Sequence, residues 1–444
     1  TGTSEFDQGQ IGYWSDNALT IRETYDDVRC YRCRELPPLP LPQGDVRCFG
    51  RNNYGQTEVP EDLAKCIKVA AGSSHTVALE FDGTVKAWGA GTTDTQLSPN
   101  WGQSIVPVYM PVPPNGDGQL LGSCREIAAG LYHTVAIRSR GITDPTFNLD
   151  GTVVVWGQNL YGQRNVPANL GACKQIAAGE YHTVALRRDG IVRAWGAGSV
   201  SAAGDYPNVN QSIVPPSLGV CSRIAAGGFH TVALTLATGT GSNVVAWGAG
   251  TTAPPGGGAY GINWGQSFVS TQQLGSCIDI AAGKYHTLAL KSDGTVAAWG
   301  AGTTSAGPTP KYGQSIVPAN LGICTKLAAG GYHSLAIKAD EKLGNWGAGL
   351  TNTNISPNYG QSIPVPTNVT WLEISAGEFH TVAIQNNAAL LPCAGDFNHD
   401  GRRDGFDMTK LLSGWGTANG DCTGDGTTDG SDMTLLLSGW GFCP

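Results

Sequence analysis

The stretch Cys173-Lys174-Gln175-Ile176-Ala177-Ala178-Gly179-Glu180-Tyr181-His182-Thr183-Val184-Ala185-Leu186-Arg187-Arg188-Asp189-Gly190-Ile191-Val192-Arg193-Ala194-Trp195-Gly196 decides the fold. Its apolar runs are short, alternating and separated by glycine-bearing turns, which is the pattern of half-buried strands. It predicts a strand over 173–178, a second over 182–187, a third over 191–195 and a fourth through 211–214. Asp189-Gly190 between two such runs is a hairpin signal, because residues of this kind tolerate positive φ. The Ala-Ala-Gly run suits a crowded place near a central axis, where larger side chains would clash.

The same pattern, Ala-Gly-x-x-His-Thr-Val-Ala-Leu with small variations, recurs along the chain with His75, His133, His182, His230, His286, His333 and His380. A period of roughly fifty residues marks a repeat architecture. Four-stranded sheets repeated radially are the blades of a β-propeller. The ends of the array predict closure. Asp45–Gly50 matches a third strand and Tyr54–Pro60 a fourth, with no first and second strands before them. Trp371–Ala376 and His380–Gln385 match the first two strands, with no third after them. Pairing the two half-blades gives seven blades and removes both open sheet edges.

The 444 residues are glycine-rich and poor in charge, with a net charge of −8. That balance, with no basic stripe, argues against a nucleic-acid partner. No apolar run is long enough to span a membrane. The chain starts at Thr1 without methionine, as a processed, exported chain does, and the reading places it outside the cell or on its surface. Cys66, Cys124, Cys173, Cys221, Cys277 and Cys324 occupy one repeat position and read as small buried hydrophobes. Cys30, Cys33, Cys48, Cys393, Cys422 and Cys443 lie in the flanking segments and are the better disulfide candidates.

The Ala-Gly-x-x-His-Thr segment, the Trp-Gly pair and the following Trp101-Gly102-Gln103 or Tyr312-Gly313-Gln314 resemble repeats of the regulator-of-chromosome-condensation type. That resemblance covers residues 44 to about 391 and implies a seven-bladed propeller. The variant with Gln-x-x-Val-Pro endings is also found in a secreted propeller that inhibits β-lactamase. Five repeats carry an elongated loop after Trp-Gly-Ala-Gly, as in 92–100, 251–263 and 303–311, and 139–149 is a further insertion. Loops that depart from a repeat are usual places for binding. Equivalent loops should gather on one face of the disc.

Residues 1–43 stand outside the repeat and end in a proline-rich, extended segment. Residues 392–444 hold a duplicated acidic loop. Oxygen donors stand at Asp396, Asn398, Asp400, Asp404 and Asp407, and again at Asp421, Thr423, Asp425, Asp429 and Asp432. Backbone carbonyls of Arg402 and Thr427 complete each set, and Gly401 and Gly426 permit the sharp turn. Six to eight oxygens at this spacing suit a hard cation, so two Ca2+ ions are expected. Each loop precedes a short apolar helix and Ser-Gly-Trp-Gly. The module resembles a dockerin, which implies calcium binding and attachment to a cohesin-like partner. The expected fold is thus all-β, a seven-bladed β-propeller, plus a small α calcium-loop domain.

A histidine in every blade answers a need common to all blades, and each is expected to bond backbone between strands. Trp101, Trp264, Tyr54, Tyr161, Tyr312 and Tyr359 repeat as rim packing. No differentiated Ser/His/Asp set or carboxylate pair calls for catalysis. The reading is therefore a non-enzymatic interaction or assembly protein, with self-association into a surface fibre as its specific form. The alternatives are a polysaccharide-degrading enzyme, with acidic loop residues such as Asp117, Asp144 or Asp205, and a secreted inhibitor.

Overall fold

The computed structural model describes residues 43–107, 121–139, 151–199, 206–236, 243–251, 261–269, 274–303, 310–362 and 369–386, and ten further residues between 402 and 442. Seven three-stranded antiparallel sheets are built from the repeats. In the third repeat the strands are Cys173–Ala178, His182–Arg187 and Val192–Gly196. The first two match the sequence reading residue for residue. The seventh sheet is composite: Trp371–Ala376 and His380–Gln385 are joined by Asp45–Gly50 from the start of the array. Its register runs from Asp45 opposite Gln385 to Gly50 opposite His380. The expected pairing of half-blades therefore closes the ring.

Among the described residues the expected fourth strands do not form. The 211–214 segment is a turn and coil. Gln211 is fully buried and satisfies the local backbone with its side chain. Its Oε1 accepts from the Val209 amide at 2.8 Å and its Nε2 donates to the Pro207 carbonyl at 2.7 Å. Ser212 Oγ donates to the Ala197 carbonyl at 2.7 Å. Side-chain bonds replace the ladder, and Pro215 offers no amide to extend one. The segment after Tyr54 is likewise a turn rather than a strand.

The Asp-Gly turns also differ from the expected pair of left-handed residues. Only the glycine has positive φ, as at Gly83 (90°), Gly190 (81°) and Gly294 (80°). The aspartate uses its carboxylate, with Oδ1 of Asp189 accepting the Ile191 amide at 3.0 Å and that of Asp293 the Thr295 amide at 2.8 Å. This is a turn closed by an Asx bond and a bulged glycine.

The core lies between blades. Val77, Leu79 and Val85 of the first pack on Ile127 and Trp156 of the second. The same arrangement repeats around the ring to the composite blade, where Val46, Val382 and Ile384 meet Cys66, Val69 and Trp88. The repeat cysteines are buried free thiols at the strand starts, as expected. Cys48 is also free, which corrects its grouping with the disulfide candidates. It stands mid-strand in Asp45–Gly50, and burial pushes its thiol up to about 12. Cys30, Cys33, Cys393, Cys422 and Cys443 lie outside the described residues.

One inner-strand position carries charge around the ring. Lys68 pairs with Glu126, Arg223 with Asp279 at 3.5 Å, and Lys326 with Glu373 at 2.7 Å. An odd ring cannot alternate sign throughout. The neutral seventh is Gln175, whose amide bonds both polar atoms of the Ile224 backbone.

Candidate functional site

The seven histidines form a closed hydrogen-bonded ring, each reaching the next blade. His75 Nε2 meets Thr134 Oγ1 at 3.0 Å, and Thr134 Oγ1 donates to the Gln103 carbonyl at 2.8 Å. The step recurs through His133–Thr183, His182–Thr231, His230–Thr287, His286–Ser334 and His333–Thr381. His380–Thr76, at 3.1 Å, completes it across the composite blade. The partner is thus a hydroxyl of the neighbouring blade, not the backbone expected from sequence. A hydroxyl has one hydrogen, and here it goes to a glutamine carbonyl. The imidazole must therefore donate from Nε2, which leaves Nδ1 as a bare lone pair. All seven Nδ1 atoms are buried without a partner. Burial lowers the imidazoles to about 3 or 4. Each ring lies over the glycine of Ala-Gly; a Cβ on Gly72 would stand 2.2 Å from the His75 ring. The ring is a structural latch, as its occurrence in every blade implies.

The position after that glycine has no common residue. Around the ring it is Ser73, Leu131, Glu180, Gly228, Lys284, Gly331 and Glu378. These residues line one narrow axial cavity of about 80 Å³. Lys284 Nζ lies 2.7 Å from Glu180 Oε1 and 2.8 Å from Glu378 Oε1. Ser73 Oγ donates to Glu378 Oε2 at 2.7 Å. The two glycines make room for this bridge. A Cβ on Gly228 would stand 3.0 Å from Lys284 Cγ, and one on Gly331 2.8 Å from the Glu378 carbonyl. Burial would depress the Lys284 ammonium, but Glu180 and Glu378 together hold it well above its usual value. Burial raises the Glu180 carboxyl, and repulsion from Glu378 adds to the rise, against the pull of Lys284. One cation between two anions gains twice, while each anion gains once. Glu180 is 8% exposed, and its Oε2 is buried with no hydrogen-bond partner.

The residue just before each histidine is aromatic in six repeats: Tyr132, Tyr181, Phe229, Tyr285, Tyr332 and Phe379, with Ser74 in the first. Their rings make an arc around the mouth. Centroids are 6.4 Å apart for Tyr181–Phe229, 6.2 Å for Phe229–Tyr285, 5.9 Å for Tyr285–Tyr332 and 5.4 Å for Tyr332–Phe379. The expected rim aromatics buttress it: Tyr161 on Tyr181 at 5.1 Å, Tyr312 on Tyr332 at 5.7 Å and Tyr359 on Phe379 at 5.4 Å. Arg51 lies over Tyr54, Tyr359 and Phe379. The pre-histidine carbonyls accept from the residue after each Trp-Gly, as in Ala197 to Tyr181 and Ala249 to Phe229. The elongated loops therefore leave from the same end of the blades as the arc. Two of them form hairpins, Asp94–Leu97 with Asn100–Trp101 and Asn352–Ile355 with Asn358–Tyr359. Leu97 and Ile355 at their tips are each 71% exposed.

One end of the propeller thus brings together a largely buried aromatic arc, an acidic orphan oxygen and projecting apolar tips. The sequence reading missed it by treating the two variable positions of Ala-Gly-x-x-His as filler. Reading those positions down the repeats would have shown one column of mixed charge and one of aromatics. Of the expected calcium donors, Asp429 is an exposed bend whose carbonyl accepts the Met433 amide at 3.2 Å. Arg402 sits in a two-stranded pair opposite Phe442. Asp396, Asn398, Asp400, Asp404, Asp407, Asp421, Thr423, Asp425, Thr427 and Asp432 lie outside the described residues, as do Asp117, Asp144 and Asp205.

A family model described as the Regulator of chromosome condensation (RCC1) repeat matches residues 66–93, 173–201 and 277–304. The secretion-regulating guanine nucleotide exchange factor of Mus musculus is 26% identical over 183 residues, 34% of this chain and 37% of that protein. The chain thus spans little more than a third of the curated relative it matches. Among solved structures, Prp20p from Saccharomyces cerevisiae, described with its binding to Gsp1p and histones, aligns at 19% identity and a TM-score of 0.53, over 78% of this chain and 91% of that one. Human WBSCR16 aligns at 16% identity and a TM-score of 0.51, over 77% and 98%. Those likenesses bear on the fold alone. Repeat matches, neighbours and the closed ring of sheets agree on an all-β repeat propeller whose fold is like that of the regulator-of-chromosome-condensation repeat proteins.

Proposed function

We propose that this chain is a non-enzymatic, exported interaction protein whose partner docks on the loop-bearing face of the propeller. The observation that carries the reading is the pair of apolar hairpin tips, Leu97 and Ile355, together with the exposed rings of Tyr54, Tyr161 and Tyr206 around the arc. Interfaces concentrate their energy in aromatic anchors of this kind. Photocrosslinking from residues 97 and 355 on native cells would capture the partner. Its affinity should fall about tenfold or more in a Leu97→Ser, Ile355→Ser double variant. Unchanged affinity for the captured protein would refute the reading. A second copy as the captured protein identifies the fibre form, and a foreign secreted protein identifies an inhibitor. The name of the mouse relative favours one further reading, guanine nucleotide exchange on a partner, which an exchange assay on the captured protein tests.

The tail completes the proposal as an attachment module. Its donor set is all oxygen, which fits calcium, and pairing of Arg402–Arg403 with Gly441–Phe442 ties the first loop to the end of the module. The side chains of Asp396, Asn398, Asp400, Asp404 and Asp407, and of their counterparts, would hold the ions and fix the module for a cohesin-like partner. Bound ion stabilises by mass action, about 2.7 kcal/mol at a hundredfold excess over Kd. Chelator should therefore lower the tail's melting transition in the full chain. Identical melting in calcium and in chelator refutes metal binding.

A further inference from the structure

We infer that the axial mouth is a subsite for one cationic side chain, lysine or arginine, carried by the partner that docks on this face. The inference rests on the platform reading and names the chemistry at its centre. Four observations carry it. The mouth holds two carboxylates and one ammonium, so it is one positive charge short. The shortfall is localised. Both Glu378 oxygens are engaged, by Lys284 and Ser73, and Glu180 Oε1 is engaged by Lys284. Glu180 Oε2 alone is left, in a side chain more than nine-tenths buried and lining the cavity. An unpaired buried carboxylate oxygen is costly, and a donor cation is what relieves it.

The surroundings choose among cations. Lys284 Nζ already lies 5.6 Å from the Tyr285 ring centroid, and an aromatic face at the mouth favours an ammonium or guanidinium over a bare metal ion. Among the described residues no group of three or more His, Cys, Asp or Glu side chains is placed to hold a metal ion, and the Lys284 ammonium already occupies the space between the two carboxylates. The cavity, about 80 Å³, admits the head of one side chain and falls far below the roughly 300–1,000 Å³ of a small-molecule pocket. The wall beside Glu180 in the ring is Leu131, which supplies apolar contact to a methylene stem and no competing charge.

The test is calorimetric titration of the full chain with the peptide acetyl-Leu-Lys-Leu-amide, its norleucine counterpart and free n-butylammonium. The lysine peptide should saturate, the norleucine peptide should not, and n-butylammonium should bind more weakly than the lysine peptide. Glu180→Gln should weaken lysine-peptide binding about tenfold or more. Leu131→Lys places a cation beside Glu180 from within and should abolish peptide binding while raising the melting temperature, so the test survives if Glu180→Gln fails to fold. Absence of saturation, equal binding by folded Glu180→Gln, or butylammonium binding as tightly as the peptide each overturns the inference. A captured partner that needs Leu97 and Ile355 yet ignores both mouth variants overturns it and leaves the platform reading standing.

Discussion

Two rings of residues lie a few positions apart in every repeat and behave in opposite ways. The histidine ring is invariant across seven blades, fully buried and electrically neutral. The axial ring, two positions upstream, differs from blade to blade and carries charge in three of the seven, at Glu180, Lys284 and Glu378. A requirement of the architecture is met identically by each copy, because each blade-to-blade joint poses the same problem. A requirement of recognition is met once, by breaking the repeat. The histidine ring therefore reports how the disc holds together, and the axial ring reports what it holds.

The widest separation of the two rings is in their response to acid. Each latch histidine titrates near 6.5 when unfolded and at about 3 to 4 when folded. The unfolded chain binds more protons in that window, so latch stability is complete above pH 6.5 and falls as the pH drops towards 3. The slope is about 1.4 kcal/mol per histidine per pH unit. Seven such groups amount to on the order of 10 kcal/mol per unit, comparable with a whole domain's stability. The raised carboxyls of Glu126, Glu180 and Asp279 act in the opposite sense but are fewer. Denaturant melts at pH 7 and pH 5 should show a collapse of stability with uptake of several protons. A melt that is flat between those values would mean that the imidazoles are not buried neutral.

The axial ring is broken by a single change. Lys284→Met removes the cation and leaves Glu180 and Glu378 facing each other in a largely buried site, which should cost about 3–5 kcal/mol. Replacing all three ionic residues by apolar ones of similar size should cost far less, because the penalty lies in the orphaned charges rather than in the lost bridge. Equal losses from the two variants, read by denaturant unfolding, would show that the bridge itself stabilises the disc.

Much of this was legible in the sequence because a repeat states each rule seven times. Strands 173–178 and 182–187, the half-blade pairing of 45–50 with 380–385, and the burial of the repeat cysteines all followed from period-two patterning and small-residue runs. The fourth strand was misread because Gln211 and its counterparts look like ordinary polar punctuation. Their role is to satisfy backbone groups that a strand would otherwise pair, and periodicity does not encode that. The axial site was missed for the reverse reason. Glu180, Lys284 and Glu378 follow one another at intervals of roughly a hundred residues, and only ring closure brings them together. The duplicated acidic loop of 392–444 is legible as a motif, and calcium binding there is a proposal that the chelation experiment tests.

The smallest effect tests whether the latches are truly equivalent. Thr183→Val removes the hydroxyl between the second and third blades, leaving His133 Nε2 without an acceptor and the Gln163 carbonyl without that donor. Thr76→Val does the same at the joint where the array closes, for His380 and Gln56. Each orphans buried polar groups at about 1–3 kcal/mol. The two joints carry the same hydroxyl bridge, yet the second borders the one sheet that is itself broken in sequence, where His380–Gln385 pairs with Asp45–Gly50 from the far end of the array. If opening of that sheet is the first step of unfolding, Thr76→Val should speed unfolding more than Thr183→Val at equal loss of equilibrium stability. Equal unfolding rates would mean that the composite joint is as firm as the others, and that covalent continuity adds nothing once the ring of histidines is shut.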